Sequence, residues 1–506
     1  MQVSLVHTAV RAPPRLGSKG VSSWPRTSRA TALINGAHTG RMHIREPEDS
    51  SDVEDSTEVE DTLAVMLIGS VIFMMLILYA LNWPDTDIRY YASSTLGDAI
   101  SIFVAVLVFS AVDECLTWLP IPAWAEDVLY FCHFLFWFVL LQGSTAWLSG
   151  VAGGEQVDQN AMTPSHSISK SEVMQDKHEL QKWRQREVRV KCASRMLAHV
   201  SGFAAIAAWS SLQSKTGSLR ITLIVPVAAV TMLALCWLSS QVRQSISRYD
   251  GTVDITEEIW DSAAREAEGE AVGLVISFLT VNTVQSFVLG VLPDSHGGVK
   301  EHLPIAVWKS DTSWMFGCAS AAGLVLAITV GLAHRCGDAQ SWKKLLLDSV
   351  GVYTSMCFAW FLLFGIKAAM KLARPFEDPE SLTSELLTAL AVSAFVFVSI
   401  ILLDFVADRI GYVASTQRAV IKIILSFGIL TGFAWELCFS LATEVVGERV
   451  SGDSGSLDVP LFLGLAFLVT PAYLLHVAPI TEVCRRAVVE DQSNASDSCI
   501  DRNELD

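Results

Sequence analysis

The chain has 506 residues, of which 51% are hydrophobic and 18% are charged, and its mean hydropathy is +0.41. Soluble domains are about one-quarter charged, so a chain this long and this apolar cannot bury its hydrophobic side chains in one water-surrounded core. The formal net charge of −17 argues against a nucleic-acid partner, because phosphate binding requires clustered Lys and Arg.

The first 61 residues predict a disordered N-terminal tail with two halves of opposite charge. Residues 1–45 contain seven basic and no acidic side chains, a composition typical of an organellar transit peptide. A disordered basic tail is the alternative. Residues 46–61 contain nine acidic and no basic side chains, which indicates a solvated, disordered stretch.

Eleven apolar runs follow, each near the ~20 residues that a helix needs to cross a ~30 Å hydrocarbon core. They predict an all-α fold, a polytopic membrane helix bundle over residues 62–482, with a disordered C-terminal tail over 483–506. The run 196–213 is rich in Ala and Ser, as in helices that pack inside a bundle. The runs are 62–82, 98–118, 127–149, 196–213, 219–241, 271–292, 313–334, 346–368, 384–407, 418–442 and 459–480.

Two charged connecting segments are predicted to be helical. Residues 172–195 are strongly basic, and residues 254–270 are strongly acidic with an apolar residue at every fourth position. We expect both on the same side of the membrane, where opposite charge favours docking. Binding of the basic segment to an anionic lipid surface is the alternative.

The distribution of Lys and Arg predicts the orientation of the chain. The connections after the third, fifth, seventh and ninth runs, together with the C-terminal tail, carry most of the basic loop residues. The positive-inside rule therefore places the C-terminus and residues 150–195 in the cytosol or its organellar equivalent. With eleven spans the N-terminal tail lies opposite. The sequence does not indicate which membrane holds the protein.

The spans after the first form five hairpins, and these suggest an internal repeat. The first helix of each hairpin carries a related stretch: VDE at 112–114, AWS at 208–210, VQS at 284–286, AWF at 359–361 and AWE at 434–436. The central residues of these stretches are spaced by 96, 76, 75 and 75 positions. Repeats in membrane chains often frame a substrate site, although hairpins of ~20-residue spans recur at similar intervals by chance.

The chain contains no GxxxxGK[ST], HExxH, GxSxG or EF-hand pattern, so we predict no enzyme, no cofactor and no metal. Polar groups within apolar runs are costly and tend to mark a site. Glu436, inside the tenth run, is the foremost of these. The complete candidate set for an intramembrane transport site is Glu436, Glu114, Asp113, His133, Ser210, Gln285 and Ser286.

Each polar or aromatic group also has a structural explanation. Glu436 can pair within the bundle, and His133 can be a packed, hydrogen-bonded histidine. The anchor tryptophans, Trp209, Trp360 and Trp435, share a depth that an interfacial aromatic belt explains. Lys367 and Asp404 lie near the ends of their runs, where side chains snorkel towards water.

Two functions remain open at this point. The first is a transporter or channel for an unidentified small solute or ion, with the lipid bilayer as its surroundings. The second is a non-catalytic structural or assembly subunit of a membrane complex, in which the polar residues hold helices together. The sequence does not indicate the oligomeric state.

Overall fold

The computed structural model describes most of the chain between residues 51 and 484, and the described part is helical with short turns. Predictions for residues 1–50, 154–169 and 485–506 lie outside the described residues. The chain divides into two compact units, Met1–Asp55 and Ser56–Asp506; the helix bundle belongs to the second. The described ranges are 51–153, 170–215, 221–247, 255–292, 304–335, 341–373, 382–410, 414–451, 458–477, 479–481 and 483–484.

The described residues form eleven α-helices and no strand, which confirms the all-α prediction. Helix α1 begins within the acidic stretch for which the sequence predicts a disordered tail. The helices are α1 (Ser51–Leu81), α2 (Thr86–Thr117), α3 (Ala123–Ser149), α4 (Lys170–Ser214), α5 (Ile221–Ser247), α6 (Ile255–Leu289), α7 (Ile305–Arg335), α8 (Ser341–Ala373), α9 (Leu382–Ile410), α10 (Ala414–Ser451) and α11 (Asp458–Ala472).

Nine of the described helices contain a segment long and apolar enough to cross a membrane, which is consistent with a multi-pass membrane protein. The two predicted runs outside this set are 62–82 and 196–213. In α1 the apolar helix is the shorter Met66–Leu81. In α4 the Ala- and Ser-rich composition lowers the hydropathy, and the helix continues from the basic segment. The count of eleven spans therefore stays a prediction.

Five helices form a closed ring inside the bundle, and we call α2, α4, α6, α8 and α10 the inner helices. Each packs against the next, and α10 packs against α2. Neighbouring inner helices run parallel, because early residues of one contact early residues of the next and late residues contact late ones. Between α4 and α6, Arg195 contacts Glu270 and Gln213 contacts Thr283. Between α2 and α10, Asp98 lies beside Gly428 and Phe103 lies beside Phe439.

The remaining helices of the hairpins lie outside this ring. Each packs on the inner helix that follows it, α3 on α4, α5 on α6, α7 on α8 and α9 on α10, and α11 packs on α2. Burial follows this division, since 72% of the apolar window of α10 is buried against 17% for α5. Inner helices are therefore surrounded by protein, whereas outer helices present apolar side chains to the surroundings.

Two glycines allow α10 to approach α2 closely. A Cβ atom at Gly428 would overlap the Cβ atom of Asp98, and one at Gly432 would lie 3.0 Å from the carbonyl oxygen of Ala99. The pair forms a GxxxG motif, the spacing that permits helix backbones to meet in membranes. This contact closes the ring.

Candidate functional site

A cluster of buried charges lies between three inner helices, and we call it the arginine cluster. Arg195 of α4 donates from Nη1 to Asp98 of α2 at 2.8 Å, from Nε to Glu270 of α6 at 3.1 Å and from Nη2 to Glu266 at 3.0 Å. The side chains of Asp98 and Glu270 are 3% and 7% exposed. Because a buried carboxylate is costly unless paired, Arg195 stabilises both.

The same contacts test the docking of the two charged segments. Arg195 is the last residue of the predicted basic segment, and Glu266 and Glu270 belong to the acidic segment. Both segments are helical, as the N-terminal parts of α4 and α6. Their docking is therefore confirmed at the end closest to the apolar runs.

A second arginine, Arg243, is buried and joins α5 and α6 to the outer helix α3. Arg243, 3% exposed in its side chain, makes a bidentate ion pair with Glu268, with Nη1 at 2.5 Å and Nη2 at 3.0 Å. It also donates to Asp261 at 3.1 Å and to the side-chain oxygen of Gln142 at 3.1 Å. A planar guanidinium suits this arrangement because it presents several donors in a fixed fork.

Above the arginine cluster, one aromatic residue from each inner helix joins a connected group, which we call the aromatic cluster. Phe109 of α2 lies 6.4 Å from Phe203 of α4 and Phe203 lies 5.1 Å from Phe433 of α10, as ring centroids. Trp360 of α8 lies 4.3 Å from Phe433 and 5.1 Å from Phe278 of α6. Since α4 and α10 are not neighbours in the ring, the Phe203–Phe433 contact crosses its interior.

Polar groups lie on both sides of the aromatic cluster. On the side of the arginine cluster, His199 Nδ1 and Ser101 Oγ are 3.1 Å apart, both buried. On the other side, Asn282 follows Phe278 by four residues, a rise of about 6 Å. Both polar atoms of the Asn282 side chain are buried without a hydrogen-bond partner among the described residues. An apolar layer thus separates two polar regions.

Glu436 forms a buried charged group with residues of α8 and α9. Lys367 of α8 pairs with Glu385 of α9 at 3.1 Å, and the Glu436 carboxylate lies within electrostatic range of both. Glu436 is 2% exposed. Among the described residues, neither Glu436 Oε2 nor Glu385 Oε2 has a hydrogen-bond partner. Lys367 therefore pairs with Glu385, and the Glu436 carboxylate lies near this pair without a hydrogen bond or ion pair of its own among the described residues.

The other predicted site residues are placed at separate helix junctions. His133 of α3 accepts from Trp137 at 2.7 Å and stacks on Phe109, as the packed-histidine alternative requires. Gln285 donates to the buried Asp311 of α7 at 3.3 Å. The hydroxyls of Ser210 and Ser286 donate to carbonyls of their own helices.

Asp113 and Glu114 are half-buried at the end of α2, and Asp113 Oδ1 has no hydrogen-bond partner among the described residues. Within the described part of the chain, no hydrogen bond or ion pair joins two of the seven predicted residues. Their role as one site stays a prediction.

Two structural expectations are wrong. Trp209, Trp360 and Trp435 are 4%, 2% and 5% exposed, so they pack inside the bundle and do not form an interfacial belt. Lys367 and Asp404 do not snorkel either. Lys367 is paired within the bundle, and Asp404 is 6% exposed. In each case a neighbouring helix covers a side chain that the hydropathy pattern predicts to lie at the membrane–water interface.

The arginine cluster was missed because Asp98, Arg195 and Glu270 stand at the edges of apolar runs. Edge charges are usually read as lying at the water interface. The inner helices extend beyond the runs at that end, so the charges become buried between helices. The feature of the sequence that indicates this cluster is the position of Arg195, which is the last residue of a basic helical segment that we expect to dock on an acidic one.

Comparisons with known protein families, with curated proteins and with solved structures find no match to this chain.

Proposed function

We propose that the protein is a transporter or channel for a small solute or ion, with its route through the ring of inner helices. The observation that carries this proposal is the set of buried polar atoms that lack partners among the described residues. They belong to three different inner helices: Ser201 Oγ of α4, Asn282 Oδ1 and Nδ2 of α6, and Trp360 Nε1 of α8. Buried polar groups are almost always hydrogen-bonded, so these favour an interior that meets water or solute during function.

The aromatic cluster is the closed position of the proposed route. Its rings fill the ring interior between the arginine cluster and Asn282, and apolar constrictions can gate a pore by excluding water. A route through this layer requires the side chains of Phe203 and Phe433 to move apart. The proposal covers both a channel gate and an occluded transporter.

Glu436 is the ionisable group that we assign to this function. Its carboxylate can take up a proton or hold a cation, because the ammonium group of Lys367 already pairs with Glu385, which leaves Glu436 beside that pair without an ion pair of its own among the described residues. The test is tracer flux in proteoliposomes containing the full chain or the Glu436→Gln variant, which keeps the shape and removes the charge. Glu258→Gln, at an exposed position of α6, is the matched control.

We expect Glu436→Gln to lower flux by about tenfold or more, because ionisable groups inside a membrane bundle tend to belong to the transport pathway. Glu258→Gln should leave flux unchanged. Flux that is equal in all three proteins makes Glu436 a structural residue. Absence of flux for every ion and solute tried favours a structural or assembly subunit. The observation that favours a structural subunit is Arg195, whose ion pairs hold α2, α4 and α6 together.

A further inference from the structure

Three aspartates meet where the turn between α1 and α2 approaches α9. One carboxylate oxygen from each of Asp85, Asp87 and Asp404 lies within 4.8 Å of the other two. Asp85 is exposed, Asp87 is half-buried and Asp404 is buried. Asp85 and Asp87 are two residues apart, but Asp404 is more than 300 residues away in the sequence, so no local sequence motif contains all three.

The local structure explains why they meet. Asp85 is the N-cap of α2, where its Oδ1 accepts from the backbone N–H groups of Asp87 at 2.8 Å and Ile88 at 3.4 Å. The ring of Trp83 packs edge-on against Phe397 of α9, with 6.1 Å between centroids. Asp404 lies two helical turns beyond Phe397 and therefore on the same face of α9. The turn is thereby held against the face that carries Asp404.

Asp404 is the unusual member of the cluster. It is 6% exposed, and no hydrogen bond or ion pair of its carboxylate occurs within the described part of the chain. Its electrostatic neighbours are Asp85, Asp408 and Asp87, which repel it. Arg89, one turn into α2, makes no ion pair with Asp404 within the described residues. A buried carboxylate surrounded by carboxylates is strongly unfavourable without a counter-charge.

We propose that Asp85, Asp87 and Asp404 bind a hard divalent cation, with Ca²⁺ as the best fit. Carboxylate oxygens are the ligands that Ca²⁺ and Mg²⁺ prefer. Ca²⁺ accepts oxygen ligands at about 2.3–2.6 Å in flexible geometry, whereas Mg²⁺ requires near-ideal octahedral geometry at about 2.0–2.1 Å. Three oxygens within 4.8 Å of one another therefore need only small side-chain movements to share a Ca²⁺ ion, with water completing the coordination. Such an ion would fasten α1 and α2 to the end of α9.

The test is calorimetric titration of the purified full chain in detergent with CaCl₂ and, separately, with MgCl₂. We expect one saturable Ca²⁺ site per chain and a rise in the thermal midpoint when Ca²⁺ is added. Asp404→Asn should weaken binding by at least about tenfold, because the site loses a ligand charge. The same substitution should raise the thermal midpoint of the metal-free protein, since it removes the repelled charge.

Two further variants make the test specific. Asp85→Asn keeps a good N-cap residue and should also weaken binding, so it replaces Asp404→Asn should that variant fail to fold. Asp408→Asn removes a nearby exposed charge but no ligand, and should change affinity by less than about threefold. Binding of Mg²⁺ alone that depends on Asp404 supports the site with the smaller ion. No saturable binding of either ion, or equal binding by Asp404→Asn, overturns the proposal.

Discussion

Buried charge dominates the energetics at the scale of single residues. Asp98 and Glu270 tolerate burial because one guanidinium reaches both, and Glu268 does so because Arg243 is bidentate to it. Removing one member of such a group leaves an uncompensated charge, which costs more than the intact group contributes. Glu436 differs, because no hydrogen bond or ion pair of its carboxylate occurs among the described residues, while the nearby Lys367 pairs with Glu385.

Arg195→Gln should therefore destabilise the protein strongly, by about 3–5 kcal/mol. The matched control is Lys191→Gln, one turn earlier on α4, where Lys191 pairs with Glu187 at 2.8 Å with both side chains partly exposed. A surface pair of this kind contributes about 0–1 kcal/mol. Thermal unfolding in detergent measures both changes. Equal shifts for the two variants would contradict a special role for Arg195.

At the scale of helices, the close approach of α10 to α2 depends on Gly428 and Gly432. The inner and outer positions of the helices were not predictable from hydropathy, because lipid and a protein interior are equally apolar. The exception is α4, whose Ala- and Ser-rich run predicted a packed helix; His199, Ser201 and Ala204 are each at most 1% exposed. In α4, the small residues therefore predicted burial inside the bundle, which hydropathy alone does not indicate.

Gly428→Ala should separate α10 from α2, because the new Cβ atom would overlap the Cβ atom of Asp98. Overpacking of this kind costs about 1–3 kcal/mol, and displacement of Asp98 also weakens its ion pair with Arg195. Gly143→Ala on α3, where nothing lies within 4 Å of the added atom, is the control and should be neutral or slightly stabilising. Similar midpoints for both variants in thermal unfolding would rule out the close contact.

For the whole molecule, the sequence predicted the helical class, the membrane environment and most helix positions, because ~20-residue apolar runs leave few alternatives. The first helices of the five hairpins are the five inner helices of the ring. The internal repeat itself stays a prediction. Side-chain partners such as Gln285 and Asp311 could not be predicted, because the pattern of apolar runs does not specify which helices become neighbours.

The orientation leads to a prediction about opposite ends of the bundle. Lys182 of α4 should face the cytosolic side, and Glu126 at the start of α3 should face the other; both are solvent-exposed or nearly so. Single cysteines at these positions, in a chain without native cysteines, are labelled with an impermeant thiol reagent in sealed vesicles. One should react before permeabilisation and the other only afterwards. Reaction of both from the same side would refute the orientation.

The proposed route through the ring is tested most directly by opening the aromatic cluster. Phe433→Ala removes the side chain that contacts both Phe203 and Trp360, whereas Phe467→Ala removes an 82% exposed ring from α11. Both variants and the wild type are reconstituted in liposomes, and tracer flux of small ions is measured. We expect flux through Phe433→Ala to be about tenfold or more above that of the wild type, because a hydrophobic constriction is widened, and flux through Phe467→Ala to equal that of the wild type. A folded Phe433→Ala protein with no more flux than empty liposomes would contradict it.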